Sequence, residues 1–296
     1  MPDQTPPDDL VGAFQIEGEP VRGRIARLGA AIDAILSAHA YPEPVANLLG
    51  EACALAALVG SNLKFEGRLI VEARGDGPVR YVVADYDTGG SLRGYCRFDA
   101  GEVEAISGGF VRPGARALLG KGVFMMTVDQ GPDMDRYQGM TDIQGETLAL
   151  CAEQYFAQSE QTPTRVRLAV SRGETGWRAG GFLIQSVAAD ATRGETLEAW
   201  VRTQAFFETL GEDELVDPEL GSDQLLFRLF HEDGVRVFGS LPLRAACRCS
   251  QDRIETVLKS FDAAERADMV EGDGVIRVTC EFCARVYAVA PEALGA

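Results

Sequence analysis

Residues 274–290 read GVIRVTCEFCARVYAVA, two alternating runs with a Cys-x-x-Cys between them. Alternation at period 2 marks a strand with one buried face, so 274–279 and 284–290 are expected to pair as a hairpin with Cys280 and Cys283 at its turn. Upstream in the same tail stand Cys247, Arg248 and Cys249, where an extended backbone puts both sulfurs on one side. A helix is expected over 251–261, between the two pairs. The tail holds no histidine, so Cys247, Cys249, Cys280 and Cys283 are its only soft donor set. Zinc takes four such ligands in a tetrahedron at about 2.3 Å.

The residues leave the purpose of such a site open. A closed site of four thiolates would simply hold a small domain together. A C-x-C disulfide closes a very small, strained ring and is comparatively reducible, which suits a reversible switch better than a staple. A catalytic thioredoxin-like C-x-x-C opens a helix after a strand, whereas CEFC lies between two strand-like runs.

Outside the tail the remaining cysteines, Cys53, Cys96 and Cys151, are scattered singly. Seven cysteines, an odd number, argue against the disulfide framework of a secreted protein, and Cys53 and Cys151 fall in apolar helical stripes as core thiols. The 296-residue chain has a net charge of −17, which excludes nucleic acid and anionic membranes as main partners because both require a basic face. With 46% hydrophobic and 25% charged residues it can build a core, and its length favours more than one unit. The longest apolar run, 52–59, is too short to span a membrane, and MPDQTPPDDL at the start lacks the features of a signal peptide. A cytoplasmic location is therefore expected.

Strand-like runs occupy 21–28, 68–73, 79–85, 92–98 and 122–129, with a Gly-Asp-Gly-Pro turn at 75–78. Helical stripes cover 42–63 and 146–159, and 164–170 and 181–187 read as a hairpin-like pair. Sequential strands joined by tight turns imply antiparallel pairing. The segment 191–234 carries eleven acids against three arginines, yet holds Leu197, Trp200, Val201, Phe206, Phe207 and Leu210 at near-helical spacing and a second stripe over Leu225, Leu226, Leu229 and Phe230. It can fold only against something else, and its self-repulsion makes its order conditional. The expected fold class is α+β: a mainly antiparallel sheet core packed with helices, a helical linker region and a small C-terminal zinc-binding domain. The expected boundaries are 1–190 for the core, with its end near Asp190, 191–242 for the acidic linker and 243–296 for the small domain that carries the four cysteines.

Weaker signals carry no chemistry. GARALLGKG at 114–122 has the wrong glycine spacing for a phosphate loop and reads as a turn before a strand. His39 and His231 lie far apart, with no nucleophile and acid beside them. No catalytic residue is assigned, and the chain is not expected to be an enzyme.

The pairs CRC and CEFC, the latter flanked by strands, resemble the C-terminal zinc centre of the redox-regulated 33-kilodalton heat-shock chaperone family. HAYPEPVANLLGEA, NLKFEGRL, GDGPVRYVV, LLGKGVFMMTVD, YFAQSEQTPT, GGFLIQSV and FRLFHEDGVRVF resemble that family's core and linker segments in the same order, so the resemblance runs from about Asp8 to Pro291. Arg248 departs from the small residue common between the first two cysteines and leaves the ligands intact.

The resemblance implies an ATP-independent holdase, inactive when reduced with one zinc on four thiolates. Oxidative stress would form the disulfides Cys247–Cys249 and Cys280–Cys283, release the zinc, unfold the linker and drive homodimerisation and binding of unfolding client proteins. Bottom-up, a structural zinc site supplies roughly 10 kcal/mol or more, so oxidising its ligands removes most of a small domain's stability at once. Loss of that support would expose the linker stripes, which makes Trp200, Phe206 and Phe207 candidate client-binding residues. The rival readings are a thiol-disulfide oxidoreductase using CEFC, with CRC dispensable, and a constitutive zinc-stabilised adaptor that oxidation would destroy.

Overall fold

The computed structural model describes residues 7–64, 66–108, 112–131, 134–187 and 196–295. They form two compact units, divided after Ala245. The first opens with β1 (Leu10–Ile16), β2 (Val21–Leu28), α1 (Ala30–Leu36) and α2 (Glu43–Gly60). There follow β3 (Arg68–Gly75), β4 (Val79–Asp87), β5 (Ser91–Phe98), α3 (Ala100–Ser107), α4 (Ala115–Leu119), β6 (Gly122–Asp129) and β7 (Tyr137–Asp142). Next come α5 (Leu148–Tyr155), β8 (Thr164–Gly173), β9 (Gly176–Ser186), α6 (Thr196–Glu208), α7 (Glu212–Val216) and α8 (Ser222–Phe230). Three short strands close the unit: β10 (Val235–Val237), β11 (Leu241–Pro242) and β12 (Arg244–Ala245).

Two six-stranded sheets result. One has the order β10-β1-β2-β9-β8, with β11 also on β1, and the other β12-β5-β4-β3-β6-β7. Every pairing in them is antiparallel except β12 on β5. The expected α+β class with mainly antiparallel sheets is thus observed.

Helix α2 packs against both sheets. Pro42 caps it and Pro44 sits in its first turn, where no backbone donor is lost. Its contacts are close enough to require glycine on the facing strands: a Cβ on Gly94 of β5 would lie 2.9 Å from Cys53 Sγ, and one on Gly181 of β9 would lie 2.7 Å from Leu58. α2 is an 18-residue helix long and apolar enough to cross a membrane, which corrects the reading of 52–59 as the longest candidate; it is mostly buried within this unit, as a core helix is. Its burial accounts for its all-round apolar character.

The first sheet is covered on its other face too. Alternation along β9 sends Leu183 into the α2 core and Phe182 and Ile184 into a second cluster with Phe14, Ile16, Phe207, Leu215, Leu226 and Phe230. Helices α6 to α8 supply the far side of that cluster, so the acidic segment is part of the first compact unit as folded here. The boundary expected near Asp190 lies outside the described residues.

Several local readings are corrected. Residues 115–119 form α4 ahead of β6 where a turn was expected. The helix expected over 146–159 ends as an α-helix at Tyr155 and continues as a π-turn over Phe156–Glu160, closed by Gln161 at φ 51°. β1 and β7 carry no strong alternation and were not anticipated.

The second unit holds α9 (Gln251–Leu258), α10 (Ala263–Asp268), β13 (Ile276–Thr279) and β14 (Val286–Val289), ending in a 3-10 turn over Pro291–Leu294. β13 and β14 form the expected hairpin, Ile276 opposite Val289 and Thr279 opposite Val286. Only Leu258, Ile276, Val289 and Leu294 make up its buried apolar cluster.

Candidate metal centre

The hairpin turn and the segment before α9 each carry two cysteines to one point. In the turn, Ala284 N–H donates to Cys280 O at 2.9 Å and Cys280 N–H to Arg285 O at 2.9 Å, with Ala284 in the left-handed region at φ 55°. This folds the backbone so that Cys280 and Cys283 face the same way. Across from them, Ser250 caps α9 by accepting from Arg253 N–H at 3.3 Å, and the Arg253 guanidinium donates to Arg248 O at 3.0 Å. Arg248, the residue between the two cysteines, thereby lends its carbonyl to fixing their loop.

The four sulfurs of Cys247, Cys249, Cys280 and Cys283 all lie within 4.8 Å of one another, and all four residues are half-buried. Cys247 Sγ is 3.7 Å from Cys280 Sγ, and Cys249 Sγ is 3.4 Å from Cys283 Sγ. A zinc–sulfur bond of about 2.3 Å makes the edge of a tetrahedron about 3.8 Å, so the donor set fits a zinc site of four thiolates. No other group of three or more candidate ligands gathers among the described residues. One donor was not anticipated from sequence: Tyr287 on β14 gives its Oη–H to Cys249 Sγ at 3.1 Å. Nothing in the pattern VYAV distinguishes a tyrosine that reaches a sulfur from one that caps a small core.

The thiols are not equivalent. Burial pushes Cys247 up and Cys283 up to about 12. At Cys249 burial acts the same way but is outweighed by hydrogen bonds from Tyr287 and the other three thiols, which bring it down to about 7. Metal binding to four thiolates would displace these protons, which is the usual chemistry of such a site.

The other candidates lie elsewhere. Cys53, Cys96 and Cys151 are buried; burial pushes Cys53 up to about 12, Cys96 well above the ordinary thiol value and Cys151 upward, so they are inert. His231 Nδ1 lies 3.0 Å from Phe227 O at the end of α8, and His39 lies tilted against Tyr41 and edge-on to Tyr95. Phe207 is 1% exposed, packed on Phe182 with the Arg167 guanidinium over its ring, and Trp200 and Phe206 are half-buried against the same cluster. The exposed apolar residues of α6 and α8 are instead Leu197, Val201 and Phe227.

Arginines of the sheet hold this helical segment by its backbone. Arg27, 1% exposed, donates to the carbonyls of Glu214, at 3.3 Å, and Asp217. Arg178 donates through Nε to Val216 O at 2.8 Å and pairs in two-pronged fashion with Asp8, and Arg167 reaches Leu210 O.

Residues 9–290 match the family model described as Hsp33 protein. The chain is 70% identical over 294 residues to a 33 kDa chaperonin of Caulobacter vibrioides (strain NA1000 / CB15N), spanning 98% of this chain and 97% of that protein. It is 38% identical over 285 residues to the 33 kDa chaperonin of Azotobacter vinelandii (strain DJ / ATCC BAA-1303), spanning 94% and 91%. Among solved structures, the 33 kDa chaperonin (heat shock protein 33 homolog) of Thermotoga maritima superposes with a TM-score of 0.80 at 25% identity, covering 97% of this chain and 96% of that one. Matched over nearly its whole length in family model, relatives and fold, the chain belongs to the Hsp33 family.

Proposed function

We propose that this protein is a redox-regulated, ATP-independent holdase chaperone, inactive when reduced and loaded with one zinc ion. The observation that carries the reading is the convergence of Cys247, Cys249, Cys280 and Cys283 in a unit whose buried apolar cluster has only four members. So small a core cannot hold fifty residues alone, so the ligands are its main support. Peroxide takes two electrons from each pair of thiols, leaving as water, and two disulfides form, Cys247–Cys249 and Cys280–Cys283. That oxidation removes the donors and releases the zinc. The acidic segment 191–242, the linker between a core of 1–190 and a zinc domain of 243–296, then detaches. Its departure uncovers Phe14, Phe182 and Ile184 together with its own Trp200, Phe206 and Phe207, on which unfolding client proteins are held.

The family's name and its relatives' names support chaperoning, and an acidic surface suits a cytoplasmic protein that dimerises only on activation and binds neither nucleic acid nor membranes. CEFC joins β13 to β14 and does not itself open a helix, which speaks against a thioredoxin-like oxidoreductase and with it against catalysis. Light scattering from a thermally aggregating client tests the reading. Suppression only after treatment with peroxide at elevated temperature, reversed by a thiol reductant, is the expected result. Equal suppression by the reduced zinc form overturns the switch.

A further inference from the structure

Residues 234–245, GVRVFGSLPLRA, form a strap that lies along an edge of each sheet in the first unit. β10 pairs with β1 in the register Phe14 to Val237, and β11 pairs with it one residue out of that register, Val11 to Leu241, so the strap bulges over 238–240. Main-chain bonds do the holding: Glu17 N–H to Gly234 O at 3.0 Å, Phe238 N–H to Ala13 O at 2.9 Å and Leu243 N–H to Asp9 O at 2.7 Å. The strap then crosses to the other sheet, where Arg244 N–H donates to Gly90 O at 2.8 Å, Arg244 reaches Gly89 O at 2.9 Å through its guanidinium, and β12 runs parallel to β5.

Its side chains contribute little. Val237, Phe238 and Leu241 are each more than two-fifths exposed, and of its apolar residues only Leu243 is deeply buried. A segment tied by backbone and left apolar on its outer side is easily peeled, and when it leaves, one edge of each six-stranded sheet is bare. It ends at Ala245, two residues before Cys247.

We propose that these two edges are a docking site for extended segments of unfolding proteins in which apolar residues alternate with basic ones, bound by strand addition after the strap lifts. The strap shows which chemistry the edges accept: Arg236 lies 3.8 Å from the half-exposed Glu17 carboxylate, and the Arg244 guanidinium donates to Gly89 O. Strand addition draws its strength from main-chain bonds and so tolerates varied sequences, while the Glu17 carboxylate at the end of β1 favours positive charge opposite it. The proposal rests on the oxidative release described above and adds where, and by what bonds, a client is held.

The test uses the full-length protein, reduced with zinc or oxidised with peroxide at elevated temperature, and a fluorescent peptide GVRVFGSLPLRA read by anisotropy. The oxidised protein is expected to bind it at least tenfold more tightly than the reduced one, and binding is expected to slow hydrogen exchange at Glu17 N–H. Peptides with the two arginines changed to glutamate, with the sequence scrambled, or N-methylated at the residues matching Phe238 and Leu243 are expected to bind at least tenfold more weakly. Equal binding of the scrambled or N-methylated peptide overturns strand addition. So does a Glu17 amide that stays protected in oxidised protein without peptide, because the strap or that of a second copy then keeps the place. Client aggregation measured in the same samples separates the two ideas: suppression without peptide binding sinks this proposal alone, and absence of suppression sinks the redox switch.

Discussion

The two compact units solve the problem of stability in opposite ways. The first wraps two sheets around α2, whose Leu49, Leu55, Ala56 and Leu58 are fully buried, and its three cysteines are simply part of that apolar packing. The second gathers a buried apolar cluster of four side chains and turns its four cysteines towards one another. A thiol in the first setting is driven upward by burial and is chemically silent, while Cys249 in the second is brought down to about 7 by donors around it. The same residue type is thus core filling in one region and a candidate metal ligand in the other, and Cys249 differs from Cys53 in the donors that meet the thiol when it loses its proton.

Substituting one cysteine in each region breaks the comparison most strongly. Cys280→Ser removes a ligand, and with roughly 10 kcal/mol of metal-linked folding free energy at stake the second unit is expected to lose its bound zinc and its hydrogen-exchange protection from α9 through β14. Protection of α2 is expected to stay unchanged. Cys53→Ala should do the reverse, costing about 1 kcal/mol of first-unit stability and leaving metal binding by the four tail cysteines as in the parent. Metal analysis and exchange mass spectrometry of both variants read this directly, and zinc retention in Cys280→Ser would show that the second unit stands without its fourth ligand.

The ease with which each region is read from sequence follows from the same contrast. The metal centre is written in short spacings, CRC and CEFC, and the hairpin that carries the second pair in local alternation, so the structure adds mainly Tyr287 to what the sequence states. The first unit depends on partners far apart in the chain. β2 pairs with β9, Arg27 reaches carbonyls nearly two hundred residues away, and neither has a local signature. α2 reads as a helix because of its periodicity, but its place between two sheets shows in glycines such as Gly94 and Gly181, which mean nothing until the facing side chains are known. Phe207 likewise has the spacing of a helix face, and only the fold says that this face is covered.

The helical segment α6 to α8 lies between the two extremes, apolar beneath and charged above. Arg27 is the clearest handle on it, since Arg27→Met keeps the aliphatic stem but strips the donors from Glu214 O and Asp217 O. Two carbonyls left without their partner should lower the local opening free energy by about 1–3 kcal/mol. The expected signature is faster exchange in α7 and α8 with α2 and the metal centre untouched, and a lower oxidant dose for client protection. If exchange quickens throughout the first unit, the segment is an inseparable part of the scaffold, and the contrast between rigid core and releasable cover fails.

A smaller effect sharpens the point at which cover and scaffold meet. Glu51 on α2 lines a small cavity of about 150 Å³ together with Asn47, Arg112, Thr147 and Glu212 of α7. Burial is the main cause that pushes its carboxyl up to about 7; Arg112, 3.7 Å away, opposes the shift, and Glu212 adds to it. An acid with a raised value in the folded state binds protons more tightly there than in the unfolded chain, so its contribution to stability is greatest below about 4.5 and is lost as pH rises towards about 7. Above that range the ionised Glu51 faces Glu212, and the repulsion falls on the docking of α7. Glu51→Gln removes the titration while keeping the shape. The difference in unfolding free energy between the parent and Glu51→Gln is therefore expected to grow in favour of the variant by on the order of 1–2 kcal/mol between pH 5 and pH 8. Denaturant titrations at a series of pH values measure it. A difference that stays flat with pH would mean that Glu51 is solvated as an ordinary surface acid, and that the meeting of α2 and α7 holds no charge to feel.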